Sequence, residues 1–257
     1  MKIALPQYVQ PNLSSDELGY VDEFIRLAVD EGAGLICFGE WFLGVEPLDY
    51  GSVVTKLRGL AAEARIAMVT GNIPCLVRGK LAQGSLVISP EGSIALEQRK
   101  LIPYRMEAAN FLAGEELVAA KLPFGTLVVL NGLDAISHSF LPPMKLLRPN
   151  FLVMQMNPSS ALEAEALKEL ALARSSGDCQ VAVLPSLFDP YGGDFQGGGF
   201  VACEGEVIAE GMEGERLVIA EIDPDALLPY ASLSEPVRIP ELLRQKFLSE
   251  TVVVSPG

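Results

Sequence analysis

The stretch LAQGSLVI-SPEG-SIALEQ (residues 81–98) decides the fold class of this chain. Two apolar runs, 81–88 and 93–98, flank a segment that contains Pro90 and Gly92, and this arrangement predicts a β-hairpin. A hairpin joins antiparallel strands, whereas a purely parallel, doubly wound sheet joins its strands through crossover helices. The chain therefore needs a sheet that contains antiparallel pairs.

On both sides of the hairpin, short apolar runs alternate with segments of helical periodicity, which is typical of a layered α/β protein. Strands are predicted at 2–5, 35–38, 66–69, 127–130, 151–156, 181–184 and 217–222, with a second hairpin at 199–210. Helices are predicted at 18–31, 52–65 and 160–174, and a helix near 139–147 is expected to be broken by Pro142 and Pro143.

Two mixed sheets that face each other, with helices outside both, satisfy this order of elements. No break in composition divides the chain, so residues 1–257 are predicted to form one domain. The tail from about residue 235 matches no pattern that we can assign.

The charge balance excludes several classes of partner. The chain has 19 Lys and Arg against 33 Asp and Glu, a formal net charge of −14 at pH 7. Nucleic acids and anionic membrane surfaces both require a basic binding surface, so we expect neither as a partner. No apolar run reaches the roughly 18 residues that cross a bilayer, and we expect a cytoplasmic protein.

Cysteine and histidine usage limits the chemistry further. The four cysteines, Cys37, Cys75, Cys179 and Cys203, are scattered without a CxxC pair, which fits neither a zinc site nor a disulfide framework. His138 is the only histidine, which excludes a His-rich metal site. We expect no metal and no cofactor, Cys37 in the core, and a structural or exposed His138.

Two charged residues at strand ends are candidates for chemistry. Glu40 follows the apolar run 35–38, and Lys100 follows the second strand of the first hairpin. Ligands of layered α/β proteins bind near the carboxyl ends of strands, where a Glu and a Lys serve as base and oxyanion stabiliser. The alternative is an ordinary ion pair at a sheet edge, which is the more common use of such residues.

Four segments in order resemble the nitrilase (carbon–nitrogen hydrolase) superfamily almost from end to end. They are MKIALPQ (1–7), GLICFGEWF (34–42), QRKLIPY (98–104) and the region 199–223. The resemblance implies a four-layer αββα sandwich and the hydrolysis of nitriles, amides or carbamoyl groups of small molecules. It also implies a Cys nucleophile, a Glu general base and a Lys that stabilises the developing negative charge.

The resemblance assigns these roles to particular residues. Glu40 matches the base, Lys100 matches the Lys, and Glu107 matches a second active-site Glu that orients the substrate and the Lys. The nucleophile should stand two residues before Asp134, and that position holds Gly132. A glycine has no side chain, so the covalent route is closed at this position.

Three hypotheses follow from this departure. The chain binds a small amide, carboxylate or other polar ligand without turnover, in a pocket lined by Glu40, Trp41, Lys100, Glu107 and Gly132, with Asp134 also near the ligand. Alternatively, it is an active hydrolase of small C–N substrates that uses another nucleophile or a water. The third is a non-catalytic partner subunit, since members of the family pair into dimers and larger assemblies. A homodimer or larger homo-oligomer is expected.

Overall fold

The fold is described from a computed structural model of the chain. The described residues are 1–7, 18–44, 46–103, 111–158, 160–185, 198–211, 216–227 and 237–238. Glu107 and most of the tail from residue 235 lie outside these ranges. So do Ser14 and Glu17, whose spacing predicts a capping box before the first helix. The prediction of a single domain over 1–257 therefore stays a prediction.

The strands are numbered in chain order. They are β1 (Lys2–Pro6), β2 (Ala33–Cys37), β3 (Ala67–Val69), β4 (Ile73–Val77), β5 (Lys80–Ile88), β6 (Ile94–Arg99), β7 (Glu116–Leu117), β8 (Ala119–Leu122), β9 (Gly125–Asn131), β10 (Phe151–Gln155), β11 (Val181–Leu184), β12 (Phe200–Cys203), β13 (Glu206–Glu210), β14 (Leu217–Glu221) and β15 (Val237–Arg238). The α-helices are α1 (Gly19–Asp30), α2 (Tyr50–Ala64), α3 (Leu133–Ile136), α4 (Leu141–Leu147) and α5 (Ala161–Gly177).

Two mixed sheets carry the fold. Sheet 1 has the strand order β14-β1-β2-β3-β5-β4, with β6 also paired to β5. Sheet 2 has the order β13-β12-β11-β10-β9-β8. In sheet 1 the pairs β1–β2 and β2–β3 are parallel, as are β9–β10 and β10–β11 in sheet 2. The hairpin predicted from residues 81–98 is the antiparallel pair β5–β6.

Three buried apolar clusters show how the layers stack. The first joins sheet 1 to α1 and α2, and the third joins sheet 2 to α3, α4 and α5. The second lies between the sheets, where Val87 of β5 and Leu96 of β6 share a cluster with Val129 of β9 and Val153 of β10. The predicted four-layer αββα sandwich is confirmed, because each sheet buries one face against helices and the other against its partner sheet.

One local prediction was wrong, and one strand at the end of a sheet was not predicted. The helix near 139–147 is not broken by its prolines: a 3₁₀ turn (His138–Phe140) leads into α4, and the prolines occupy the first turn of α4, where backbone N–H groups have no intrahelical partner. Strand β4 was missed because it contains Pro74. Proline is tolerated there because β4 lies at the end of the sheet order.

None of the helices in the described ranges is both long enough and apolar enough to span a membrane.

Candidate active site

Three chain segments that are far apart in sequence meet between the two sheets. Glu40 lies just beyond β2, Lys100 directly follows β6, and Gly132 directly follows β9. A Cβ atom placed on Gly132 would lie 2.6 Å from Glu40 Oε1 and 3.1 Å from Lys100 Nζ. The structure therefore brings together the three positions to which the resemblance assigns base, lysine and nucleophile.

Gly132 has an unusual backbone conformation. It has φ 55° and ψ −123° and connects the buried strand β9 to the short helix α3. A strand-to-helix turn of this kind is strained for residues with a side chain, and hydrolases use such turns to present a nucleophile. The chain retains the turn, although no nucleophilic atom stands on it.

Glu40 and Lys100 form a buried ion pair over Gly132. Lys100 Nζ donates to Glu40 Oε1 at 3.4 Å, and the residues are only 3% and 4% exposed, respectively. Two more donors reach the Glu40 carboxylate, Asn72 Nδ2 at 3.5 Å from Oε1 and the backbone N–H of Asn157 at 3.4 Å from Oε2. A buried charge is tolerated only when it is paired and hydrogen-bonded, so these donors keep Glu40 at this position.

A close approach of two backbones fixes the segment that carries Glu40. Gly71 packs so tightly that an added Cβ would collide with the carbonyl oxygen of Gly39 and lie 3.1 Å from that of Glu40. The N–H of Asn72 donates to the Glu40 carbonyl at 2.6 Å. The chain after β3 therefore supports the chain after β2, and only glycine fits at residue 71.

Asp134 connects Lys100 to the turn at Gly132. It is fully buried, and its two carboxylate oxygens accept the backbone N–H groups of Leu101 at 2.9 Å and Ile102 at 2.7 Å. Burial raises the pKa of the Asp134 carboxyl to about 7, while these N–H donors, Lys100 and the N–H of Asn131 lower it. Because its oxygens accept these backbone donors, Asp134 positions the segment after Lys100. The contact with the ligand that the sequence predicts for Asp134 stays a prediction.

A polar network lies between the sheets beside the ion pair. The Ser85 hydroxyl is within hydrogen-bond distance of three amide oxygens, Asn72 Oδ1 at 3.1 Å, Asn131 Oδ1 at 2.8 Å and Gln155 Oε1. A hydroxyl carries one proton, so it donates to one of these oxygens at a time. Gln155 Nε2 donates to the carbonyls of Phe38 at 2.9 Å and Thr70 at 2.6 Å. The network joins sheet 2 to sheet 1 where β2 and β3 end.

Trp41 directly follows Glu40 in the chain. The indole is partly buried and packs against the apolar cluster between sheet 1 and its helices. The ligand-binding role predicted for it stays a prediction. Glu107 lies outside the described residues, so its predicted role stays a prediction.

Three side chains of residue types that act as nucleophile or base in other hydrolases have different surroundings in this chain. Cys37 is fully buried in the cluster between the sheets, and burial raises the pKa of its thiol. The Ser137 hydroxyl accepts the N–H of Ser139 at 3.2 Å and caps the 3₁₀ turn. His138 is exposed. These side chains have structural or surface positions.

Sequence reasoning missed the polar residues that surround Glu40. Asn72 and Asn157 each follow an apolar strand of a parallel pair, which is the position at which ligand-binding residues of α/β sheets occur. That signal was available from the runs 66–69 and 151–156. Ser85 and Gln155 lie inside strands, and neither spacing nor composition distinguishes them from ordinary strand residues.

A groove among the described residues lies outside this site. An open groove of about 860 Å³ is lined by charged residues that include Arg78, Lys80, Glu97 and Arg99. Glu97 and Arg99 alternate along β6 with Gln98, so the groove is on the other face of that strand. No group of three or more His, Cys, Asp or Glu side chains among the described residues could hold a metal ion.

Comparison with known proteins places these observations in a family. The sequence model of the carbon–nitrogen hydrolase family matches residues 2–136, which is just over half of the chain and includes Glu40, Lys100 and Gly132. The omega-amidase of Mus musculus is 28% identical over 124 residues, which are 45% of this chain and 45% of that protein. The chain thus matches a little less than half the length of this curated relative.

Solved structures resemble the fold over nearly the whole chain. The NitN amidase of Nesterenkonia sp. superposes with a TM-score of 0.78 at 19% identity, and the match covers 90% of this chain and 96% of the amidase. A carbon–nitrogen hydrolase of Helicobacter pylori also has a TM-score of 0.78, at 15% identity, with 98% of this chain and 94% of that chain covered. At these identities the likeness demonstrates the fold alone.

Proposed function

This chain belongs to the carbon–nitrogen hydrolase family, and we propose that it binds a small amide-type ligand without forming a covalent intermediate. The observation that carries the proposal is the arrangement of Glu40 and Lys100 around a glycine at the turn after β9. A thioester needs a sulfur atom at that turn, and residue 132 offers none. The site keeps charged groups that orient a polar ligand.

The chemistry of the ion pair favours a carbonyl-containing ligand. The Lys100 ammonium is a donor for a carbonyl or carboxylate oxygen, and the Glu40 carboxylate is an acceptor for an N–H group. Both act with little competition from water, because the two side chains are nearly fully buried. A small primary carboxamide supplies both complementary groups.

A relative of known structure supports binding without a cysteine. A cysteine-to-alanine variant of the Nesterenkonia amidase is found in complex with butyramide. This chain has glycine where the family resemblance requires cysteine, and butyramide is therefore the first ligand to test. Homo-oligomer formation, the absence of nucleic-acid and membrane partners, and a cytoplasmic location remain predictions.

Equilibrium binding tests the proposal. We expect butyramide to bind the wild-type chain in calorimetry, and Glu40→Gln to weaken binding about 10- to 100-fold, as for the loss of a hydrogen bond to a charged group. Glu210→Gln is the matched control, because Glu210 pairs with Lys168 on the surface, away from the site.

Removal of one member of a buried ion pair can unfold a protein. The double variant Glu40→Gln/Lys100→Met removes both charges together and shows, by thermal unfolding, whether lost binding reflects lost structure. A folded wild-type chain that binds no small carboxamide overturns the proposal. Release of ammonia that depends on Glu40 would instead support the second candidate function, in which Glu40 activates a water.

A further inference from the structure

Gln83 is a buried polar residue on β5, two residues before Ser85. It is 3% exposed, and its side-chain oxygen Oε1 has no hydrogen-bond partner among the residues that the structure describes. Burial of an unpaired acceptor is unfavourable, and native proteins place such groups where a ligand or ordered water completes them. The question is therefore which donor Oε1 faces.

The strand register places the Gln83 side chain between the sheets. Ser85 on β5 contacts Asn131 of sheet 2, so Ser85 faces the space between the sheets. Side chains two residues apart on a strand share a face, which gives Gln83 the same direction. The backbone N–H of Lys100 donates to the Gln83 carbonyl at 2.9 Å, and Lys100 also reaches across to Gly132.

The same register places Gln83 at the level of Glu40 along the sheet. Cys37 of β2 pairs with Val69 of β3, and Val69 pairs with Val87 of β5. Because β5 is antiparallel to β3, residues before Val87 run in the same direction as residues after Cys37. Glu40 is three residues beyond Cys37, and Gln83 is four residues before Val87. Measured along the strand direction, the two residues therefore lie at nearly the same distance beyond the Cys37–Val69–Val87 pairing.

This inference rests on the proposed function, because it concerns which ligands the same site accepts. We propose that Gln83 accepts a hydrogen bond from the amide N–H of the ligand and makes the site selective for carboxamides over esters and carboxylates. Lys100 provides the donor for the carbonyl oxygen, and Gln83 Oε1 provides the acceptor for one N–H. The second N–H, which only a primary carboxamide has, is the one that Glu40 accepts. An ester has an oxygen in place of the N–H and leaves Oε1 unpaired, as does a carboxylate.

The test uses two ligands that differ only in the group that Gln83 contacts. N-methylbutyramide and methyl butyrate have the same shape and carbonyl, and one has N–H where the other has O. We expect the wild-type chain to bind the amide at least about tenfold more tightly, since an unpaired acceptor disfavours the ester. Gln83→Met, of similar length but without an acceptor, should bring the ratio of the two dissociation constants close to one.

Gln83→Glu keeps an acceptor at the same place and should keep the preference for the amide, which a purely structural role would not predict. Thermal unfolding of both variants establishes that they are folded. If the glutamate variant does not fold, the wild-type and methionine ratios still decide the question. An equal preference in wild type and Gln83→Met overturns the role of Gln83 alone. Failure of the wild-type chain to bind either ligand overturns the proposed function as well.

Discussion

Gly132→Cys places a thiol where the family resemblance requires the nucleophile, and its consequences follow from the distances at the site. The new Cβ would lie 2.6 Å from Glu40 Oε1, whereas ordinary contact begins at 3.4 Å, so the carboxylate must move by about 0.8 Å. The contact is with the end of a flexible side chain, and such a shift is small. The positive φ of 55° adds strain of about 1–3 kcal/mol for a residue with a side chain.

The variant should therefore fold with a free energy of unfolding about 1–3 kcal/mol below that of wild type. Its thiol would lie next to Glu40, which takes the proton, and Lys100, which stabilises the oxyanion. With p-nitrophenyl acetate we expect a stoichiometric burst of nitrophenolate and a single acetyl adduct in the intact mass. Cys37 and Cys179 are buried, whereas Cys75 and Cys203 are partly exposed, so the wild-type chain gives the background labelling. Peptide mapping should locate the additional adduct of the variant at residue 132.

Two controls distinguish the effect of the added Cβ from the effects of the thiol and of its base. Gly132→Ala carries the same Cβ and strain without a thiol, and should lose stability similarly but give no adduct. Gly132→Cys/Glu40→Gln keeps the thiol without the base and should acylate about 10²- to 10⁴-fold more slowly. A folded Gly132→Cys variant whose thiol acylates at the same rate with and without the Glu40 carboxylate would refute the arrangement described for the three residues.

The remaining predictions concern the supports of the site and the helices. The folded-state pKa of Asp134, about 7, exceeds its ordinary 3.8, so between pH 4 and 7 the folded chain holds a proton that the unfolded chain has lost. The free energy of unfolding of wild type, relative to that of Asp134→Asn, should therefore fall by about 1.4 kcal/mol per pH unit in this range, as measured by urea unfolding. Gly71→Ala should destabilise the chain by more than about 2 kcal/mol and abolish ligand binding, because its Cβ meets backbone atoms that cannot move aside. Gly59→Ala should raise the free energy of unfolding by about 1 kcal/mol, since residue 59 is exposed inside α2 and open space surrounds its added Cβ; an unchanged melting temperature would contradict this.

Much of the fold follows from patterns that the sequence displays. The hairpin at 81–98 excludes a parallel sheet, and the alternation of apolar runs with helical segments predicts the layers that the structure contains. Strand β4 was missed because Pro74 is read as a strand breaker, and only the sheet order reveals that it lies on an edge. The first turn of α4 likewise accepts prolines that sequence reading treats as interruptions.

The site was accessible from sequence only in part. The family resemblance placed Glu40, Lys100 and Gly132 in one site, and the structure brings these three residues together, although their roles remain predictions. The hydrogen bonds that Asp134 accepts from two backbone N–H groups of another segment were not predicted. Contacts of this kind depend on the three-dimensional path of the chain and leave no periodic signal. The unpaired oxygen of Gln83 is equally invisible until the register of β5 is known.

The central claim is that this chain binds a small carboxamide and does not hydrolyse it. The most direct measurement follows ammonia released from butyramide by saturated wild-type protein, beside Glu40→Gln and a protein-free blank. We expect binding to saturate while ammonia release stays at the level of the blank in both proteins. Ammonia released catalytically by wild type, and lost in Glu40→Gln, would contradict it.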